Sequence, residues 1–278
     1  MTIEDLVDPA PALVAVAARR PEVSAAFDAA SQALTQLRFH EGLRRRWQEA
    51  RAEAAVREAT GLAIMAGVRI TVDDMRVLSM RQPGDTEERL DPGQQLALGI
   101  WRSQWNMVSS FDPINQRIPV RRSLRPFPAL TASVHRDICS AQVESGLTSS
   151  RSVAIPSDSM TMMRAGEYVR ADMPALACAG ALLAHFRFRQ VFSPASVAVG
   201  GALARWVLVS RGVDPTAVAV ISALDAQDQS GAARELAGWV SADEAGVGRW
   251  LIRVAQSVAY GAEVGRDVAL RVQAGRLG

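Results

Sequence analysis

The chain has 278 residues, of which 49% are hydrophobic and 22% charged, with a formal net charge of +2 at pH 7. That length allows one large or two small domains, and the apolar share allows a substantial buried core. All 31 basic residues are arginines balanced by 29 acids, so the pI of 8.9 rests on a shallow difference and implies no nucleic-acid partner.

Aromatic residues are 5% of the chain and include six Trp, which points to an Ala, Val and Leu core with a few Trp anchors and favours helices. Cys139 and Cys178 lie far apart in apolar helical contexts and read as buried free thiols. Together with His40, His135 and His185 they give no metal-ligand spacing, so no metal site is predicted. The opening MTIEDLVDPAPALV carries acids where an export signal has bases. The apolar runs near Ala175–Ala184 and Val197–Val209 are too short or Arg-interrupted to span a bilayer. A cytoplasmic protein with no membrane partner is expected.

Residues 1–21 read as a loose lead-in with one short helix among Pro9, Pro11 and Pro21. From Pro21 to about Met65 the pattern is helical, with Val23, Phe27, Ala30, Leu34 and Leu37 on one stripe and Leu43, Trp47, Ala50 and Ala54 continuing it. Arg44, Arg45, Arg46, Glu49 and Arg51 are expected on the solvated, salt-bridged outer face. Gly67 ends this region, and Thr71 with Asp74 gives a capping-box start to a short helix. Residues 81–91 form a polar loop. Asp91 caps and Pro92 opens a helix to about Ser110, on which Trp101 and Trp105 share a core-packed face. The proline-punctuated stretch 111–127 gathers Arg117, Arg121, Arg122 and Arg125, either an exposed loop or a phosphate or acidic-partner site.

A helix from about Pro128 to Gln142 carries His135, read as a satisfied core histidine because no acidic partner is evident. The Ser-, Gly- and Thr-rich segment 145–159 holds a possible short strand, Val153 to Pro156. Asp172 and Pro174 start an apolar helix ending near Arg189. Ser193 and Pro194 then read as the N-cap and first residue of a second buried helix, whose start can bind an anion or serve as a plain joint. Arg187, Arg189 and Arg205, near that start, are candidate phosphate ligands. After Asp214 and Pro215 come irregular residues and a helix near Ala232–Trp239. Ser241 with Glu244 forms a capping box for a last helix carrying Val247, Trp250, Leu251, Val254 and Val258 to about Val272. There is no internal repeat. The predicted fold is an all-α bundle around the helix beginning at Pro194, with at most one small hairpin near 150.

The stretch QVFSPASVAVGG, Gln190 to Gly201, resembles the signature of Fic (Fido) proteins, H-x-F-x-[DE]-G-N-G-R-x-x-R, at the loop opening a central helix. The following ALARWVLVSRGVDP, the LTASVHRDI phrase around His135 and the closing VGRWLIRVAQSVAYGAEVG resemble the same family more closely than the signature does. The resemblance implies a Fic-like helical bundle and, for active members, transfer of AMP from ATP onto a protein hydroxyl. It places residues 1–80 as an N-terminal region with an inhibitory-like helix and 81–278 as the core. It also implies that segment 145–159 is a hairpin flap that pairs with a target backbone by strand addition.

Only Phe192 matches the signature's fixed side chains. Gln190 stands at the catalytic His, Pro194 at the acidic metal-binding residue, Ala195, Ser196 and Val197 at Gly, Asn and Gly, Ala198 at the first Arg and Gly201 at the second. Of the inhibitory pattern [ST]-x-x-x-E-[GN], Leu62 stands for Ser or Thr, Ala66 for Glu, and Gly67 matches. The Glu and its arginine partner are thus both missing, as expected when an unpaired buried charge is costly. The chemistry needs a base, a magnesium-holding carboxylate and cations on the transferring phosphoryl group. The reading is therefore a catalytically inactive Fic-like protein, an interaction or regulatory module without cofactor, with an unknown protein partner and a possible homodimer. The alternatives are an active nucleotidyl transferase using ATP and magnesium through non-family residues, and an Arg-rich nucleic-acid binder with steep salt dependence.

Overall fold

The computed structural model describes residues 8–81, 90–114 and 125–276. Among these the chain forms twelve α-helices: α1 (Pro11–Ala17), α2 (Pro21–Arg38), α3 (Leu43–Met65), α4 (Val72–Ser79), α5 (Pro92–Ser109), α6 (Phe127–Glu144), α7 (Ser159–Arg170), α8 (Ala175–Arg189), α9 (Ser196–Ser210), α10 (Ala223–Gln227), α11 (Gln229–Val240) and α12 (Glu244–Gln273). No strand occurs among the described residues. The one expected from Val153 to Pro156 is absent: the chain makes a 3₁₀ turn at Ser150–Ser152, and Ala154 takes φ of 64°, which leaves the extended region. The basic residues Arg117, Arg121 and Arg122 lie outside the described residues, as does most of the 81–91 loop.

Local chemistry sets most helix starts. Thr71 and Asp74 make a reciprocal capping box on α4, and Asp91 and Gln94 make one on α5, each satisfying two amides that the helix itself cannot. Asp158 caps α7, a helix the sequence reading did not anticipate. The cap of α12 is Asp243 rather than Ser241. Asp243 Oδ1 accepts the Gly246 amide at 2.7 Å, while the Ser241 hydroxyl, with its single proton, lies within hydrogen-bond distance of both the Asp243 carboxylate and Gly238 O. An ionised oxygen is the stronger acceptor at a helix N-terminus.

At the centre lies an antiparallel pair, α8 and α9, apolar on nearly every face. A helix buried all round must be surrounded by others, and α3, α5 and α6 pack on α9 while α7, α11 and α12 pack on α8. The long α12 presents Val247, Trp250, Leu251, Val254 and Val258 inward, and the Trp250 indole donates to Gly180 O at 2.8 Å. The α2 stripe is buried as expected. Trp101 and Trp105 stack with centroids 6.2 Å apart, but only Trp101 reaches the core, and Trp105 is 42% exposed.

Arg51 departs from expectation: it is buried, not on the solvated face. Its guanidinium donates to Thr216 O at 3.0 Å and Asp112 O at 3.2 Å, and it lies 4.7 Å from the Trp47 ring centroid. The reason is the connection from Asp214 to Ser222, which is irregular yet almost wholly buried. Buried backbone groups without partners cost about 1–3 kcal/mol each. Helix side chains meet that demand. Arg51 takes Thr216 O, Arg205 donates to Ala217 O, and Glu58 Oε2 accepts the Ser222 amide at 3.1 Å. Asp214 Oδ1 accepts from the amides of Thr216 and Ala217.

α5 and α6 cross at Gly99, where a Cβ would lie 1.8 Å from Ile138 O. Gly99→Ala is therefore expected to cost about 2–3 kcal/mol, as overpacking does, and a urea titration with an unchanged m-value checks it.

Candidate functional site

The joint between α8 and α9 is built by apolar packing and backbone capping. α8 ends at Gln190 in the left-handed region, φ 48°, and the Gln190 side-chain amide turns back to donate to Arg187 O at 2.7 Å. The chain then buries Val191 and Phe192, passes a cis Ser193–Pro194 bond, and enters α9 through Ala195 at φ 59°. The helix therefore begins at Ser196, not at Pro194. A cis proline preceding a left-handed Ala195 is a tight turn rather than a helical first residue, and the Ser193 side chain is no cap. The Ser196 hydroxyl donates inward to Phe186 O at 2.7 Å and is buried.

Phe192 fixes this loop. Its ring stacks on His135 at 4.7 Å between centroids and faces Phe186 at 6.3 Å. His135, fully buried on α6, binds two loops at once: Nδ1 accepts the Ala154 amide at 2.9 Å, and Nε2 is 3.3 Å from Pro194 O. An acceptor at Nδ1 and a carbonyl at Nε2 require the neutral ring with its proton on Nε2. Burial lowers its pKa below the ordinary value, against the opposing pull of Pro194 O. Ser157 closes the arrangement by donating its amide to Val191 O at 2.8 Å.

The signature positions fall as follows. Ala198 is 1% exposed and packs in the core. Gly201 faces Leu62 of α3, so closely that a Cβ would sit 2.4 Å from Leu62 Cδ2. The α3 end that carries Leu62, Ala66 and Gly67 thus borders α9. Leu62 meets Gly201, Ala66 is half-buried against the core, and Gly67 at φ 88° ends the helical run. One turn from these contacts lie Arg205 and, on α3, Glu58, which the sequence reading did not single out. Glu58 is fully buried, its carboxyl raised by burial and countered by Arg205, while burial lowers the Arg205 guanidinium.

The three candidate phosphate ligands are directed to different partners. Arg205 is 1% exposed and bonded to Gln104 Oε1 at 3.0 Å and to Ala217 O. Arg187 faces Asp225 at 3.7 Å. Arg189 pairs with Asp8 at 2.6 Å. Asp8 also meets buried His185 at 3.3 Å, and Tyr168 donates to Pro9 O at 2.7 Å, so the start of the described chain is clamped onto α8. Burial raises the Asp8 carboxyl, but His185 and Arg189 together hold it below its ordinary value. No sequence signal identifies this cluster, since Asp8 is separated from Tyr168, His185 and Arg189 by most of the chain. Among the described residues no group of three or more His, Cys, Asp or Glu is placed to hold a metal ion.

The unfolded chain protonates His135 near the ordinary value of 6.5, before the folded chain does. Stability is then full above that value and falls as pH drops through the lowered folded value. His135→Gln, which does not titrate, is expected to flatten the urea midpoint as pH falls below the ordinary His value of 6.5, although the substitution itself lowers the plateau.

No protein-family profile matches the chain, and no curated protein sequence does. Among solved structures it is similar to the crystal structure of a Fic family protein from Desulfovibrio desulfuricans G20, with a TM-score of 0.61 and 11% identity over 92% of this chain and 75% of that one. An identity this low carries the arrangement of helices and not the chemistry. The chain has a Fic-like, all-α fold.

Proposed function

We propose that this protein is a Fic-like scaffold that has lost nucleotidyl transfer and works in the cytoplasm as an interaction or regulatory module toward a protein partner. The observation that carries this reading is the Phe192-pinned loop. Where the family has its base there is Gln190, with its amide engaged at the end of its own helix. Where the family has its metal-binding acid there is Pro194, with its carbonyl facing His135. The Gln190 amide takes up no proton near neutral pH, and Pro194 has no side-chain oxygen to hold magnesium.

The residues present do not fit a magnesium-bound triphosphate at this mouth. The two signature arginines are Ala198 and Gly201, the first packed in the core and the second covered by Leu62. The Ser196 hydroxyl is spent on Phe186 O. The remaining arginines near the mouth have other partners, and replacing them would unbalance Asp8, Asp225 or the buried connection. His135 is a hydrogen-bonded anchor rather than a base with an open face. Among the described residues no helix is long and apolar enough to cross a membrane.

Incubation with labelled ATP, magnesium and cell lysate is expected to transfer no label to any protein or to the chain itself, and Gln190→His alone is expected to restore none. The melting temperature is expected to stay within about 1 °C on addition of millimolar ATP and magnesium, because a ligand that binds only the folded state raises it by mass action. Label that is lost on replacing Arg187 or Arg189 contradicts the reading and favours the active transferase.

A further inference from the structure

Beside the pinned loop runs a hollow of about 360 Å³, lined by Phe127 and Pro128 at the start of α6, Pro156, and Met162, Met163 and Arg170 of α7. The apolar surface extends past its rim: Ile155 is 60%, Met160 62% and Met163 48% exposed. Singly exposed apolar residues need no explanation, but a contiguous set around a concavity marks a contact surface. Methionine suits such a surface, because its unbranched, polarizable chain repacks around different partners.

The electrostatics of this hollow specify the occupant. Arg170 is its one charged lining residue, and Gly166 leaves the room for it: a Cβ there would lie 3.1 Å from Arg170 Nη1. No carboxylate among the described residues pairs with Arg170. Of the nearby acids, Asp172 is exposed and makes no ion pair with Arg170, and the other two are committed elsewhere. Asp158 accepts the amides of Met160 and Thr161, and Glu167 pairs with Arg164 at 2.8 Å. The hollow therefore offers methionine and proline surface ending in a guanidinium that lacks its counterion.

We infer that this groove is a docking site for a partner peptide carrying bulky apolar side chains next to an Asp or Glu, the carboxylate meeting Arg170 and the apolar groups entering between Phe127 and Met163. The chain has no strand in segment 145–159 to recruit a peptide backbone, so recognition here works through side chains. The inference does not depend on whether the α8–α9 loop transfers nucleotide. A positive labelling result leaves it standing, and a failure here leaves the reading of that loop untouched.

The test is selection of a displayed library of random short peptides on the intact protein, followed by fluorescence polarisation with the enriched peptides. Enriched sequences are expected to hold an acid beside bulky apolar residues. Met163→Glu and Arg170→Glu are each expected to weaken them by at least about tenfold. Val77→Glu, on an equally exposed apolar residue of α4, is expected to leave affinity unchanged. All three residues are exposed, so unchanged thermal melts show that the variants fold. The inference fails if no peptide is enriched, if enriched peptides lack an acid, or if Arg170→Glu binds them as the parent does. It also fails if light scattering shows a dimer that Met163→Glu dissociates, which makes a second copy the occupant.

Discussion

The stack of Phe192 between His135 and Phe186 is the contact on which the centre of this molecule depends. It seats the loop between two buried helices by side-chain packing. Once the ring is seated, Pro194 O lies beside His135, the Ala154 amide has its acceptor, and Ser157 closes on Val191. Burying an aromatic ring of this size stabilises by about 1.5–3 kcal/mol relative to leaving it exposed, and each satisfied polar group avoids the cost of an unpaired one. Packing and hydrogen bonding both favour a closed loop. The loop positions are held by the protein's own groups: Gln190 on Arg187 O, Ser196 on Phe186 O and Pro194 O beside His135.

A second constraint explains the charges that remain. The irregular connection from Asp214 to Ser222 crosses the interior, and its backbone needs partners that no helix ladder provides. Arg51, Glu58 and Arg205 supply them from α3 and α9. Burial has pushed the Arg51 guanidinium down to about 10, with Arg205 adding to the effect, and it still carries its proton at neutral pH. Breaking one member of such a set leaves the others buried without compensation, a loss of about 3–5 kcal/mol. Thus Arg205, in the C-terminal half of α9, is held by groups of the fold itself.

The helical architecture was legible because hydrophobic period and capping chemistry are local. The α2 stripe, the Thr71 and Asp74 box and the Asp91–Pro92 start all follow from residues within a few positions of each other. Three features were not. Arg51 sits in a run of charges that reads as solvated, and only the distant segment around Thr216 makes its burial worthwhile. Serine followed by proline favours a helix start at Pro194, whereas the left-handed Ala195 delays the helix to Ser196. The strand near 155 was suggested by apolar content, but a strand needs a partner edge and none of the described segments offers one. At the candidate site, the sequence pointed to the α8–α9 joint, which the structure places at the centre of the helices. It did not reveal that Leu62 covers Gly201, or that Asp8, His185 and Arg189 form one cluster, because those contacts link residues remote in the chain.

The central claim is that the mouth of α9 is closed by packing and holds no nucleotide. A crystal structure grown in the presence of ATP and magnesium tests it most directly. The account predicts Phe192 still between His135 and Phe186, with Leu62 on Gly201 and no nucleotide density at the first turn of α9. A triphosphate bound against that turn, with a side chain placed to accept a proton from an incoming hydroxyl, would contradict it.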